Sequence, residues 1–182
     1  MHSKALFHLR TVIAALPLGY AMISRQWECE AEWVILPGTA LCILTGLAIR
    51  GWASTHCGYG SRGERRLTRT GPYAIVRNPL YIGNLLVLAG LTFASELVWL
   101  VPITLLWGWG VYSLVITTYE EPRLVRWYGE DYRRYRRSVP AWIPSSACPA
   151  ISLSGRALVR EAPRLLFLAP FILKEMKWPG LS

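Results

Sequence analysis

Apolar residues in this chain come in long blocks separated by short, charge-rich segments, not at amphipathic spacing. About 20 apolar residues cross roughly 30 Å of hydrocarbon as a helix, and four stretches approach that size. The first is 5–24, weakened by Arg10 near its start and Pro17 in its middle. The second is 33–52, with Pro37 in its first turn, where proline is tolerated. The third, 79–94, is short: at 1.5 Å per residue it reaches only about 24 Å, which predicts an oblique crossing. The fourth is 97–119, and Ser95-Glu96 alone separate it from the third, which predicts an antiparallel hairpin.

A tail begins at Glu120-Glu121-Pro122. Glu130-Asp131 followed by Tyr132-Arg133-Arg134-Tyr135-Arg136-Arg137 reads as a short surface helix, with acids at its start and bases at its end as the macrodipole favours. Val139-Pro140 stops it, and Trp142 is expected at the interface. Arg156, Arg160 and Arg164 then precede an apolar run with Pro170, so 155–173 reads as an interfacial or re-entrant helix. The expected fold is all-α: a multipass integral membrane protein of about four transmembrane helices, with a cytosolic C-terminal tail (120–144 and 155–173), in one domain over 1–182. The first block lacks a small-residue cleavage site and reads as a retained span.

Composition agrees. Of 182 residues 53% are hydrophobic, and nine Trp and a mean hydropathy of +0.29 exceed what a soluble domain of this size carries. The net charge of +9 lies in segments flanking the apolar blocks. That distribution fits anionic lipid head groups and not nucleic acid. Residues 25–32 set Arg25 against Glu28, Glu30 and Glu32, a net −2. Residues 50–77 set Arg50, Arg62, Arg65, Arg66, Arg69 and Arg77 against Glu64, a net +5. The positive-inside rule puts the second loop, both termini and any site built there on the cytosolic side. Cys29, Cys42, Cys57 and Cys148 show no CxxC spacing, and His2, His8 and His56 are scattered, so no metal is expected. Gly108 and Gly110 lie within the fourth block and read as close helix-packing positions.

The segment with the most chemistry is Thr70-Gly71-Pro72-Tyr73 through Arg77-Asn78-Pro79-Leu80-Tyr81. A residue before proline leaves the α region, asparagine is a favoured N-cap and proline a favoured first helical residue. The third helix therefore starts at Pro79, and its N-terminus beside Arg77 offers an anion site. The plainer reading is a helix start with a snorkelling arginine. Glu120 and Glu121, at the expected end of the fourth helix, oppose the macrodipole. They read either as hydrogen-bond acceptors for ribose hydroxyls or an ammonium group, or as a solvated helix end.

Together, the run 67–83, Glu120-Glu121, Tyr128 to Tyr132 with Tyr135, and Val139-Pro140 resemble the isoprenylcysteine carboxyl methyltransferases and their bacterial relatives. Phospholipid N-methyltransferases share a looser version. The resemblance is strong over 65–144. It implies an integral membrane enzyme that uses S-adenosylmethionine, in a pocket made by the last spans and the tail, on a lipophilic substrate entering from the bilayer. Carried over by position, the cofactor pocket includes Arg65, Arg66, Leu67, Thr68, Tyr73, Asn78, Pro79, Leu80 and Tyr81, closed by Glu121. Gly71, Arg77, Gly83 and Glu120 are secondary members. The carboxyl methyltransferases usually carry His at the position of Asn78. They also place a substrate-binding arginine about one turn before the closing glutamate, where this chain reads Thr117-Thr118-Tyr119. A prenylcysteine carboxylate is therefore expected to lack its counter-charge and to be a poor acceptor. No residue stands out as a catalytic base, which fits an enzyme that positions its reactants. The acceptor and the oligomeric state stay open. An NADPH-dependent membrane reductase of the sterol-reductase type and a non-catalytic membrane scaffold are the alternative readings.

Overall fold

The computed structural model describes residues 2–23, 32–56 and 67–144, and among them there is no strand. Arg65, Arg66, Cys29, Cys57, Cys148 and the segment 155–173 lie outside the described residues.

The first apolar block forms two helices, α1 (His2–Ala14) and α2 (Leu16–Ile23), interrupted at Ala15. Pro17 accounts for the interruption, because it lacks an N–H and its ring crowds the carbonyl four residues back. The second block forms α3 (Glu32–His56), which starts a residue earlier and runs a turn further than 33–52. Pro37 consequently lies in its second turn and not its first. The third block is α4 (Pro79–Phe93), begun by its proline as expected. Its hairpin partner α5 starts only at Leu100. The connection is thus longer than two residues, with Glu96 in the left-handed region at φ 67°.

The fourth block departs furthest from expectation. Instead of ending at Tyr119, the backbone stays helical from Leu100 to Tyr128. α5 (Leu100–Val115) passes through a π turn, Ile116–Glu120, into α6 (Glu121–Tyr128). Pro122 is the physical cause. It cannot donate to the carbonyl four residues back, and the wider turn lets the Glu121 N–H reach the Ile116 carbonyl instead. The Thr117 and Thr118 hydroxyls donate back to the Ser113 and Leu114 carbonyls over 2.8 and 2.6 Å. Glu120 and Glu121 therefore lie inside a continuous helix and not at its C-terminus, so the expected conflict with the macrodipole at a helix end is absent. After Gly129 at φ 53°, α7 (Glu130–Ser138) has the charge polarity read from its sequence.

α3 and α4 pack through glycines. A Cβ on Gly46 would fall 2.8 Å from the Gly83 carbonyl oxygen, and one on Gly90 would fall 2.5 Å from Ile43 Cγ1. α4 meets α5 through the fully buried Thr92 and Thr104 hydroxyls, 3.3 Å apart, and through Gly108 against Leu85. Gly110, expected to serve helix packing as well, faces open space. α1 is tied to α5 by the Trp107 indole, which donates to the Ile13 carbonyl at 2.8 Å. Two helices, Trp33–His56 and Leu100–Tyr128, are long and apolar enough to cross a membrane; Phe7–Ile23 and Pro79–Phe93 are shorter apolar helices. Large apolar side chains such as Ile23, Trp33, Leu36, Leu41 and Leu106 stand exposed on the outside of the bundle.

Candidate functional site

The start of α1, the end of α3, the start of α4 and the π turn meet at one end of the bundle, and the tail folds back over it. The tail is held by backbone and side chain together. The Arg77 N–H donates to the Pro140 carbonyl at 2.9 Å, and the Asn78 amide donates to the Ala141 carbonyl at 3.1 Å. Tyr135 donates to the Tyr73 carbonyl at 2.7 Å, and Arg69 to the Asp131 carbonyl at 3.0 Å. Asn78 occupies the cap position of α4, yet its side chain makes no capping bond; its amide N–H donates to the tail. Trp142, expected at the interface, is half-buried and packs against the cluster around Tyr81 and Tyr112. The last turn of the tail runs inward, drawn by these bonds.

Two carboxylates adjacent in sequence face different neighbourhoods. Glu121 is 6% exposed and ion-paired with Arg77, while Arg136 Nε approaches its other oxygen at 3.3 Å. Tyr132 and Tyr135 pack beside this group with Leu67 and Val139. Burial, and next the Glu121 carboxylate, push the Tyr132 hydroxyl above the ordinary tyrosine range; burial and then Tyr132 do the same to Tyr135. Tyr135 acts as a donor, to the Tyr73 carbonyl, while the Tyr132 oxygen accepts from Arg77. Glu120 turns into the bundle, where it accepts a hydrogen bond from the Tyr81 hydroxyl and lies within electrostatic reach of Arg10 and Arg123. The extra residue of the π turn sets this divergence.

Of the residues picked out in sequence, Tyr73, Arg77, Asn78, Pro79, Leu80, Tyr81, Glu120 and Glu121 gather at this end. Leu67 packs on the tail helix, and Thr68 is half-buried beside it in sequence. Gly71 sits at φ 61° against the His56 ring, where a Cβ would fall 2.6 Å from ring atoms. Gly83 belongs to the α3–α4 contact, its Cβ position 2.5 Å from Arg50 Cγ. Sequence reading missed Arg10, Arg50, Tyr112 and Arg136. Arg10 and Arg50 were legible as charges within or at the ends of apolar blocks. Nothing local marks Tyr112, which is fully buried in α5 and stacks on Tyr81 at 4.7 Å.

The Arg77 Nε–H is buried without a hydrogen-bond partner among the described residues. This end of the bundle thus presents a spare buried donor, a paired but polar carboxylate, and phenol faces, in a place largely shielded from water.

A family model described as phospholipid methyltransferase matches residues 34–131, which is 98 of the 182 residues. The chain is also 35% identical over 86 residues to the protein-S-isoprenylcysteine O-methyltransferase of Schizosaccharomyces pombe, covering 44% of this chain. That match spans 34% of the yeast protein's length, so the chain corresponds to about a third of it. No solved structure matches.

Proposed function

The chain belongs to the phospholipid methyltransferase family, and from that premise we propose that it moves a methyl group from S-adenosylmethionine to an acceptor carried on a lipid or lipid-like tail. Methyl transfer is the chemistry named by both matches. The bilayer reading rests on the apolar blocks and on the exposed apolar surface of the bundle. The proposed topology is multipass, with the site end toward the cytosol, as the charge of 50–77 directs.

The observation that carries the cofactor reading is the buried Arg77–Glu121 pair with its unpartnered Arg77 Nε–H. A zwitterionic cofactor needs both signs of charge at a site dry enough to make them count, and this donor set fits. Arg77 and Arg136 would face its carboxylate. Glu121 would accept from ribose hydroxyls or the ammonium group and close the pocket, with Leu67, Thr68, Tyr73, Asn78, Pro79, Leu80 and Tyr81 lining the remainder. When bound, the cofactor supplies an electrophilic methyl on a sulfonium. The protein's part is alignment and exclusion of water. A carboxylate acceptor attacks as it stands. An amine must first lose a proton, and Glu120 is the carboxylate turned toward the bundle to take it.

Isothermal titration of detergent-purified protein with S-adenosylhomocysteine, and separately with NADPH, tests this. The first is expected to bind and the second not to. Glu121→Ala is expected to lower affinity for S-adenosylhomocysteine at least about a hundredfold, since a charge-assisted bond in a buried pair contributes about 3 kcal/mol. Binding of NADPH alone would move the protein to the reductase reading, and unchanged affinity in Glu121→Ala would remove that residue from the pocket.

A further inference from the structure

Arg10 belongs to an apolar helix, where a guanidinium is costly unless it has a task. Its surroundings are aromatic and polar. The guanidinium carbon lies 3.8 Å from the Phe7 ring centroid and 5.9 Å from that of Tyr81. Phe7 in turn stacks on Tyr119 of the π turn at 4.7 Å. Among the described residues its hydrogen bond goes to the Phe7 carbonyl of its own helix. Of five guanidinium N–H donors, most are thus not used by the described residues.

A second observation, from α5, points to the same neighbourhood. The Tyr112 hydroxyl is fully buried, and its proton finds no acceptor among the described residues. The Asn84 amide donates to the Tyr112 oxygen while its carbonyl accepts from Arg50. Both Arg10 and Arg50 lie within electrostatic reach of Tyr112. Glu120, which accepts from the Tyr81 hydroxyl, lies within electrostatic reach of Arg10 and Arg123. The cluster is net positive, with a spare phenol donor. Buried donors are rarely left unmade without a ligand or water to satisfy them.

We propose that Arg10, with the Tyr112 hydroxyl, forms the subsite for the anionic group of the acceptor, a carboxylate or a phosphate on an apolar tail. The proposal rests on the methyltransferase reading and names the substrate class of its site. It also changes the expectation drawn from Thr117 and Thr118. Those hydroxyls turn back onto their own helix, and the counter-charge the fourth block lacks is contributed by α1. The exposed Leu9 and Val12 flank Arg10 in sequence, offering an apolar face for the tail.

The test uses the full chain in maltoside micelles, which carry no competing anion, with S-adenosylhomocysteine present. Three probes share a farnesyl tail: N-acetyl-S-farnesylcysteine, its neutral carboxamide, and farnesyl phosphate. Inorganic phosphate is the tail-less control. The wild-type protein is expected to bind at least one charged probe about tenfold more tightly than the carboxamide, as a charge-assisted bond gives. Whichever charged probe gains tells carboxylate from phosphate. Arg10→Gln is expected to reduce the preference to within about twofold, Arg10→Lys to retain part of it, and Tyr112→Phe to lose about threefold. Affinity for S-adenosylhomocysteine should hold throughout. No preference in the wild type, or a preference that survives in Arg10→Gln with intact cofactor affinity, overturns the subsite. If Arg10→Gln fails to fold, an unaltered preference in Tyr112→Phe overturns it. Inorganic phosphate binding as tightly as farnesyl phosphate overturns the lipid-borne acceptor. A wild type that keeps an Arg10-dependent preference but binds no S-adenosylhomocysteine sinks methyl transfer and leaves the anion subsite standing.

Discussion

The α3–α4 contact and the tail clasp hold this molecule together by different physics. Along α3–α4, Gly46, Gly83 and Gly90 bring two backbones close enough that a single methyl group has no room. Dispersion over many atoms does most of the holding there, with Arg50 of α3 adding hydrogen bonds to the Leu80 carbonyl and the Asn84 side chain of α4. At the clasp, a handful of hydrogen bonds and the Arg77–Glu121 pair, with Arg136 beside it, join residues more than 40 apart in sequence. The first region resists any change of volume. The second is sensitive to chemistry and not to size. A rigid seam therefore carries a site whose cover can be exchanged or loosened without disturbing the frame.

That contrast can be broken from either side. Gly90→Leu is expected to have the largest effect. The Cβ alone would sit 2.5 Å from Ile43 Cγ1 and 3.1 Å from backbone atoms of Thr39 and Ile43, so the helices must part. A loss of about 3 kcal/mol in a denaturant titration in mixed micelles is expected. A neutral result would mean the seam is looser than its geometry. Tyr135→Phe comes next: it deletes the bond to the Tyr73 carbonyl and is expected to weaken tail docking by about 1 kcal/mol, read as faster proteolysis after residue 128 with unchanged unfolding of the bundle. Equal loss in tail and bundle would erase the distinction between the two regions. Arg136→Gln is the mildest. Its side chain is 54% exposed, so the pair with Glu121 is screened and is expected to contribute under about 1 kcal/mol. The difference from wild type should vanish in high salt, and a salt-independent effect would show that Arg136 acts as part of the buried group.

The helical frame was legible because its signals are local. Pro79 begins α4 and the acids and bases of α7 fall where the macrodipole wants them. Pro122 was readable as a disturbance but not as to its outcome. Whether a proline stops a helix or is absorbed by a wider turn depends on Thr117, Thr118 and the packing beyond them. The grouping of residues at the candidate site was legible where they are adjacent in sequence, as in Arg77-Asn78 and Glu120-Glu121. It was not legible where distant helices contribute one residue each. Arg10 looked like a flaw in an apolar block, and Trp142 like an anchor. Only the folded chain brings the one to Tyr81 and the other back onto the core.

The clasp also imposes an order of events during synthesis. The Arg77 N–H and the Asn78 amide wait for carbonyls at residues 140 and 141, some sixty residues further along. At about 5–20 residues per second, a ribosome supplies those partners several seconds after α4 has emerged. Until then, every helix of the bundle can be in place while the mouth of the site stands open. The candidate site therefore matures after the bundle helices that frame it, finished by a stretch of chain that also seats Trp142 against their core.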